Sequence, residues 1–567
     1  MSRDIGRRAF LHRAAACGAG MGLFPLLPSC AGPRGAASPG RRPNIVMLMV
    51  DDMGYSDIGC FGAEIRTPNL DWLAAQGVRL TQFYTNPVCT PTRASLLTGR
   101  YAHQAGLATN NTWPSEDYGL YGKDSDRVKK RGNSFWQQQQ YPAYNVLRTD
   151  TCLTIGEAMR HAGYQTFLSG KWHVGDEKKY WPCNNGFDRS FVMIWGGGGH
   201  FKNTGCPYAL DDQPYTGFPD DFYTTDYFFK YAMDFIEGRD ASKPFFLYLT
   251  PSAPHSPFQA WPDDIKKYDG VYDAGYDAIR EARLARQIEL GLYPKDTPLP
   301  PRVAEQTTWA DEKDKAGAAD SMEAVAAMID RVDQKLGEFI ALLKRRGELD
   351  HTVFFFFSDN GGTPTTYRSY TNAFHPWGET RNTPCSKQKG FTHEGGIRSP
   401  FIMAWPGRTQ PGAINRGQVG HVMDILPTCL DLAGAEYPKA LPGRHIEPIE
   451  GLSLWPAASD PSHAAPRTLF WEFSGSGAVR DGDWKLVREF TDQYFGKGEA
   501  TERTGQWHLY NVRTDPGEIR DLIAEHPEKA RELEARYLAW EKRVGVVPHE
   551  EIKARQAAFK AGSQAAQ

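Results

Sequence analysis

Three unbroken apolar runs, each ending in a polar turn, limit what this chain can fold into. Ile45-Val46-Met47-Leu48-Met49-Val50 runs into Asp51-Asp52-Met53-Gly54, Phe245-Phe246-Leu247-Tyr248-Leu249 into Thr250-Pro251, and Thr352-Val353-Phe354-Phe355-Phe356-Phe357 into Ser358-Asp359-Asn360-Gly361-Gly362. A strand without polar alternation has both faces covered, as in a sheet sandwiched between helices. Ahead of the third run, Val325, Met328, Ile329, Val332, Leu336, Phe339, Ile340 and Leu343 recur at spacings of three and four. That period predicts an amphipathic helix feeding directly into a buried strand. The alternation predicts an α/β fold, a large mostly parallel sheet sandwiched by helices. Ligands of such sheets bind beyond the carboxyl ends of the strands, where Asp51, Asp52, Asp359 and Asn360 would gather.

At 567 residues the chain has room for one large domain and a smaller one. We expect the large domain over residues 43–440. From Leu441 the texture changes to Gly/Pro-rich connections and short runs such as Arg467-Thr468-Leu469-Phe470-Trp471-Glu472 and Trp484-Lys485-Leu486-Val487. A late helical segment carries Ala530, Leu533, Ala535, Leu538 and Trp540, so residues 441–567 read as a C-terminal subdomain of antiparallel sheet plus helix. Residues 110–148 read as an insertion loop beside the ligand site. Its aromatics Trp113, Tyr118, Tyr121, Trp136 and Tyr141 are expected to form its own small core rather than a sugar platform. Lys plus Arg number 65 against 68 Asp plus Glu, which leaves no field to recruit nucleic acid or a charged membrane.

Residues 1–42 read as a leader and tether. Arg7-Arg8 precede an Ala/Gly-rich apolar stretch to about Leu27, the outline of a bacterial twin-arginine signal, so export to the periplasm or cell surface is expected. Leu27-Pro28-Ser29-Cys30 has the form of a lipobox, which would make a lipid on Cys30 the chain's one membrane contact; an ordinary signal peptide is the alternative. Of nine cysteines, Cys183 and Cys206 flank one loop-rich stretch and are the expected disulfide pair outside the cytoplasm. No C-x-x-C occurs, which removes zinc ribbons and thioredoxin chemistry.

Cys89-Thr90-Pro91-Thr92-Arg93, continuing Ala94-Ser95-Leu96-Leu97-Thr98-Gly99-Arg100, resembles the signature of type I, formylglycine-dependent sulfatases, arylsulfatase-like members of the alkaline phosphatase-like superfamily. The likeness extends through Asp51-Asp52-Met53-Gly54-Tyr55, Thr67-Pro68-Asn69-Leu70, Gly170-Lys171-Trp172-His173, Ala253-Pro254-His255 and Lys389-Gly390-Phe391-Thr392-His393-Glu394-Gly395-Gly396. Many relatives carry Ser where this chain has Thr90 or Thr92. The resemblance implies a sulfuric ester hydrolase acting on a sulfated carbohydrate or aryl sulfate. Cys89 would become formylglycine through a separate maturation enzyme, and its gem-diol would form a covalent sulfated intermediate. It further implies that Lys171 and Arg93 position the diol, that His173 is the base releasing sulfate, and that His255 and Lys389 share the sulfate oxygens and protonation of the departing alcohol. One calcium ion would be held by Asp51, Asp52, Cys89, Asp359 and Asn360.

The residue types suit that chemistry. A sulfate monoester is anionic, so attack needs fixed positive centres on its oxygens, and Arg93, Lys171, His255 and Lys389 would supply them. Three carboxylates and an amide oxygen suit a hard cation such as calcium better than zinc. Adjacent strand residues face opposite ways, but Gly54 indicates that the strand has ended, which allows Asp51 and Asp52 to converge. Alternation at a strand end would put Lys171 and His173 on one face. The alternatives are a phosphate or phosphonate monoester hydrolase of the same superfamily and a non-catalytic exported glycan-binding protein. His103, His200, His375 and His421 receive no role.

Overall fold

The computed structural model describes residues 42–110, 141–202, 204–302, 306–364, 375–490 and 504–565. The Arg7-Arg8 signal, Cys30 and the aromatics Trp113, Tyr118, Tyr121 and Trp136 lie outside the described residues.

The main sheet has eleven strands: β1 (Asn44–Val50), β2 (Val78–Tyr84), β3 (Gln165–Lys171), β4 (Arg189–Met193), β5 (Tyr208–Leu210), β6 (Gln213–Tyr215), β7 (Phe245–Thr250), β8 (Thr352–Ser358), β9 (Arg398–Ala404), β10 (Ala413–Asn415) and β11 (Gly420–His421). Their order is β10-β2-β9-β8-β1-β7-β3-β4-β5-β6, with β11 also on β2. Strands β8, β1, β7, β3 and β4 run parallel, whereas β9 is antiparallel to both β8 and β2. The three apolar runs are neighbours, with β1 central and in register Val50↔Ser358 and Leu48↔Leu249. Every residue of these three strands is buried, as the unbroken apolar pattern requires.

Helices cover the sheet, among them α1 (Pro68–Gln76), α2 (Cys89–Thr98), α3 (Thr224–Glu237) and α4 (Lys315–Arg345). The apolar stripe lies in α4, which buries Val325, Met328, Ile329, Val332, Leu336, Phe339 and Leu343 against α1 and α3 and leaves Ile340 half-buried. The helix starts ten residues before Val325 because the Asp314 side chain caps it, accepting from Gly317 N at 2.9 Å.

After a short ribbon of β12 (Ala440–Leu441) and β13 (Arg444–His445), the chain forms an antiparallel sheet of β14 (Thr468–Phe473), β15 (Ser476–Asp481), β16 (Trp484–Phe490) and β17 (Thr504–Asn511). Helix α5 (Pro527–Val544) packs on it. The buried stripe of α5 is Ala530, Leu533, Tyr537, Trp540 and Val544, so Leu538, expected inside, is 49% exposed and Ala535 is exposed as well. Spacings of three and four select Tyr537 over its more apolar neighbour. Leu469, Trp471, Val479, Leu486 and Leu509 join this stripe, and Tyr84, Tyr101, Ile397 and Met423 of the main body complete the cluster.

A buried ion network ties this sheet to the main body. Lys485 Nζ donates to Glu394 Oε1 and Glu518 Oε1, both at 2.9 Å, and all three side chains are fully buried or nearly so. Burial opposes ionisation of Glu394, but Lys485, Arg398 and Arg480 hold it down to about 2, against an ordinary 4.5. A depressed carboxyl stabilises the fold above its unfolded pKa and loses that contribution as pH falls through the folded one. Lys485→Met is therefore expected to cost about 3–5 kcal/mol in urea unfolding at pH 7. Its stability should also fall less steeply between pH 5 and 2 than that of the parent.

The seven described cysteines are all free thiols, so the expected Cys183–Cys206 disulfide is absent. Cys183 lies in the turn before β4, whereas Cys206 precedes β5, whose Tyr208 pairs with Met193 at the far end of β4. The strand between them spans about 17 Å, well beyond disulfide reach.

Candidate active site

Four adjacent parallel strands, β8, β1, β7 and β3, bring their carboxyl ends to one edge of the sheet. Asp359 and Asn360 follow β8, Asp51 and Asp52 follow β1, His255 lies in the loop after β7, and Lys171 closes β3. Cys89 opens α2, Arg93 lies one turn further along it, and Lys389 comes from the loop ahead of β9. Asp51, Asp52, Arg93, Lys171, Asp359 and Asn360 are completely buried, while the His255 side chain keeps 13% exposure.

Convergence depends on two backbone turns. β1 stops at Val50 and Asp52 takes a φ of +65°, so Asp52 N donates to Asp359 Oδ1 at 3.1 Å. Such a conformation costs a non-glycine residue about 1–3 kcal/mol and survives only where surrounding contacts enforce it. Here the Arg381 guanidinium donates to the Asp52 carbonyl at 2.6 Å and to Asp57 Oδ2 at 2.8 Å. His173 likewise has a φ of +55° and donates its N–H to the Ile194 carbonyl. Lys171 thus reaches the site from the last position of β3, whereas His173 reaches it through a left-handed turn after the strand end and not through the strand alternation expected.

Lys171 Nζ lies 2.6 Å from Asp51 Oδ2, and Lys389 Nζ donates to Asp52 Oδ1. Arg93 Nη2 pairs with Asp359 Oδ2 at 3.0 Å, while its Nη1 donates to the Lys171 carbonyl at 2.7 Å and to Thr250 Oγ1 at 3.0 Å. Cys89 Sγ is 3.3 Å from His173 Nδ1. His255 donates from Nδ1 to the Ser256 carbonyl at 2.7 Å, which leaves Nε2 facing Asp52 Oδ2 at 3.8 Å.

Burial dominates the electrostatics. It pushes the Cys89 thiol up despite Lys171 and Lys389, so an unmodified Cys89 stays protonated and a poor nucleophile. His173 is lowered well below its ordinary value by burial, then by Lys171 and Arg93, and burial takes His255 to about 3 despite Asp52. Both imidazoles are neutral at pH 7. Burial, reinforced by the charge of Asp51, raises Asp359 to about 7 against the pull of Arg93. Asp52 is opposed by burial yet held low by Lys389, His255 and Lys171.

These carboxylates have spare acceptor capacity. Asp51 Oδ1, Asp52 Oδ2 and Asn360 Oδ1 are buried without a hydrogen-bond partner, and such orphans are rare in folded proteins. Ligand atoms of Asp51, Cys89 and Asp359 lie within 4.8 Å of one another, as do those of Asp51, Asp52 and His255. An oxygen-rich cage with three unsatisfied acceptors fits a hard divalent cation.

Sequence reasoning missed Asn110, whose Oδ1 accepts from Thr90 Oγ1 at 2.8 Å and lies 3.4 Å from Cys89 Sγ. Thr250 and Arg381 were missed too, since neither stands in a recognisable motif. His103 pairs with Glu472 at 2.7 Å, His375 faces Glu312, and His421 accepts from Met423 N, so these three histidines serve other parts of the fold.

Comparison with known proteins agrees with this geometry. The sulfatase family model matches residues 43–435, and a model described as N-sulphoglucosamine sulphohydrolase, C-terminal, matches residues 387–539. An uncharacterized sulfatase of Schizosaccharomyces pombe is 34% identical over 553 residues, covering 89% of this chain and 95% of its own length. The arylsulfatase of Klebsiella aerogenes is 32% identical over 447 residues, covering 73% of this chain and 91% of its own. Ps i-CgsB in complex with k-i-k-neocarrahexaose shares the fold, with a TM-score of 0.63 at 24% identity over 92% of this chain and 98% of that one. A protein solved in complex with its substrate D-glucosamine-2-N,6-O-disulfate does so with a TM-score of 0.60 at 20% identity, over 90% of this chain and all of its own. A family model that spans most of the chain, matched by curated relatives over nearly their full length, means that this chain belongs to the sulfatase family and is a sulfatase-type hydrolase.

Proposed function

We propose that the protein hydrolyses sulfate esters of carbohydrates, with residue 89 oxidised from cysteine to formylglycine and one calcium ion held by Asp51, Asp52, Asp359, Asn360 and residue 89. The observation that carries this reading is the meeting of four strand ends around the Cys89 sulfur, with three buried oxygens left unsatisfied. The sulfur marks where the oxygen of the oxidised side chain would sit. Calcium there would draw charge from the sulfate oxygens, and a hydrated aldehyde would offer an oxygen nucleophile with a built-in exit.

The chain's own residues do the rest. Lys171, Lys389 and Arg93 hold fixed positive charge against the sulfate and the nucleophile. His173, neutral and 3.3 Å from the sulfur, is placed to take a proton from residue 89. His255, the more exposed of the two imidazoles, would protonate the departing alcohol. One water is consumed, and sulfate and the free hydroxyl compound are released. A carbohydrate substrate is supported by the sulfated sugar bound to a protein of the same fold.

Twin-arginine export, a lipid on Cys30 and a formylglycine-generating enzyme as partner belong to the same proposal and rest on Arg7-Arg8, the lipobox and Cys89. No helix among the described residues is long and apolar enough to cross a membrane.

Sulfate release across a panel of sulfated sugars and aryl sulfates, each beside its phosphate analogue, tests the function. We expect turnover of sulfated sugars to exceed that of the phosphates by at least about 10²-fold in kcat/KM, about 3 kcal/mol of discrimination. Faster phosphate turnover would replace this reading with a phosphomonoesterase.

A further inference from the structure

The turn after β4 carries Gly196-Gly197-Gly198-Gly199-His200, a run that the proposed chemistry leaves without a task. A Cβ on Gly196 would lie 2.2 Å from His173 Cε1 and 2.3 Å from its Nε2, and a Cβ on Gly197 would lie 2.9 Å from His255 Cε1. Both imidazoles therefore rest against bare main chain, an approach that only glycine permits.

His200 closes the run and is 1% exposed. Its Nε2 lies 2.8 Å from the His255 carbonyl oxygen, and its Nδ1 lies 2.9 Å from Thr224 Oγ1 at the start of α3. A carbonyl only accepts, so Nε2 carries the proton and Nδ1 accepts from the threonine hydroxyl. Burial lowers His200 to about 4, which keeps it in this neutral form. The His200 N–H donates to Gln259 Oε1 at 2.8 Å, anchoring the run to the segment beyond His255. The His255 backbone is thus held by His200 while its ring rests against Gly197.

We propose that Gly196, Gly197 and His200 form a positioning loop that orients His173 and His255, with His200 acting through the His255 carbonyl. This rests on the role given to His255 above. His200 is a positioning residue, touching the main chain of His255 and the Thr224 hydroxyl.

The test uses the full-length enzyme with its formylglycine content quantified, and reads kcat and KM on a sulfated sugar, whose poorly leaving alcohol needs the proton that His255 is proposed to give. His200→Leu is expected to lower kcat by about 10–100-fold with KM within about threefold, since a misplacement near 1 Å costs about that much. His200→Gln, whose Nε2 amide reaches the same carbonyl, should stay within about threefold of the parent. In a His255→Ala background His200→Leu should cost less than about threefold, because coupled residues are non-additive. The full loss reappearing in that background, or His200→Gln falling as far as His200→Leu, overturns the proposal.

Gly197→Ala covers the case in which His200→Leu does not fold. Its added methyl should lower kcat and the thermal midpoint, and His255→Ala, by vacating the ring's space, should restore the midpoint. Unchanged kcat in Gly197→Ala, or no restoration, also overturns the loop. If His255→Ala alone turns over at the parent rate, the role of His255 falls and the loop falls with it. A normal His255→Ala loss with additive His200→Leu removes only the loop.

Discussion

Cys89→Ala is expected to eliminate sulfate release, by at least about 10³-fold in kcat, while leaving the thermal midpoint within a few degrees of the parent. The size follows from removing the proposed nucleophile: losing a nucleophile costs up to about 10⁶-fold where the other catalytic groups remain. Structure should survive, because the Cys89 side chain, at the start of α2, meets the polar His173 ring and Asn110 amide oxygen, at which water can take the place of a lost thiol. The unmodified thiol cannot substitute for the oxidised residue, since burial keeps it protonated. Activity in preparations with different degrees of maturation should accordingly scale with the fraction of residue 89 that peptide mass spectrometry finds as aldehyde. Full turnover from protein carrying only the intact thiol would end the formylglycine account.

The parts of the fold that could be read from sequence are those in which one local pattern has one physical solution. Ile45 to Val50 and Val353 to Phe357 can satisfy an unbroken apolar pattern only between helix layers, and they became adjacent central strands. The antiparallel direction of β9 left no such trace, because a buried strand has the same composition whichever way it runs. On α5, apolarity alone pointed to Leu538, but helical phase placed Tyr537 in the core. The expected Cys183–Cys206 bond depended on proximity in sequence, and the length of β4 removed it.

The site divides in the same way. Asp51, Asp52, Asp359 and Asn360 could be located because sheet topology gathers strand ends. How His173 reaches them could not, because a left-handed φ at a non-glycine residue is imposed by packing and has no local signature. Asn110 and Arg381 lie 20 and 329 residues from their partners Thr90 and Asp52 and meet them only through the tertiary fold. The glycine run was visible as a string of letters, but its meaning depends on which rings lie against it.

Removing calcium should abolish turnover and destabilise the fold together, and both should return on adding calcium but not zinc. A ligand bound only by the folded state stabilises it by RT ln(1 + [L]/Kd), about 2.7 kcal/mol at a hundredfold excess over Kd. Exhaustive chelation should therefore lower the thermal midpoint by several degrees even in a Cys89→Ala variant with no activity to measure. The donor set predicts the preference: the unsatisfied atoms are Asp51 Oδ1, Asp52 Oδ2 and Asn360 Oδ1, all hard oxygens, whereas zinc favours nitrogen and sulfur. Asp359→Asn separates cation binding from general stability. It removes one of three converging negative charges while keeping an oxygen for Arg93 Nη2, now 3.0 Å from Asp359 Oδ2. Less like-charge repulsion should leave the metal-free variant at or above the parent in thermal midpoint, and the increment on adding calcium should shrink. A loss of midpoint in both states would make Asp359 a structural partner of Arg93 alone, and an undiminished calcium increment would place the cation elsewhere.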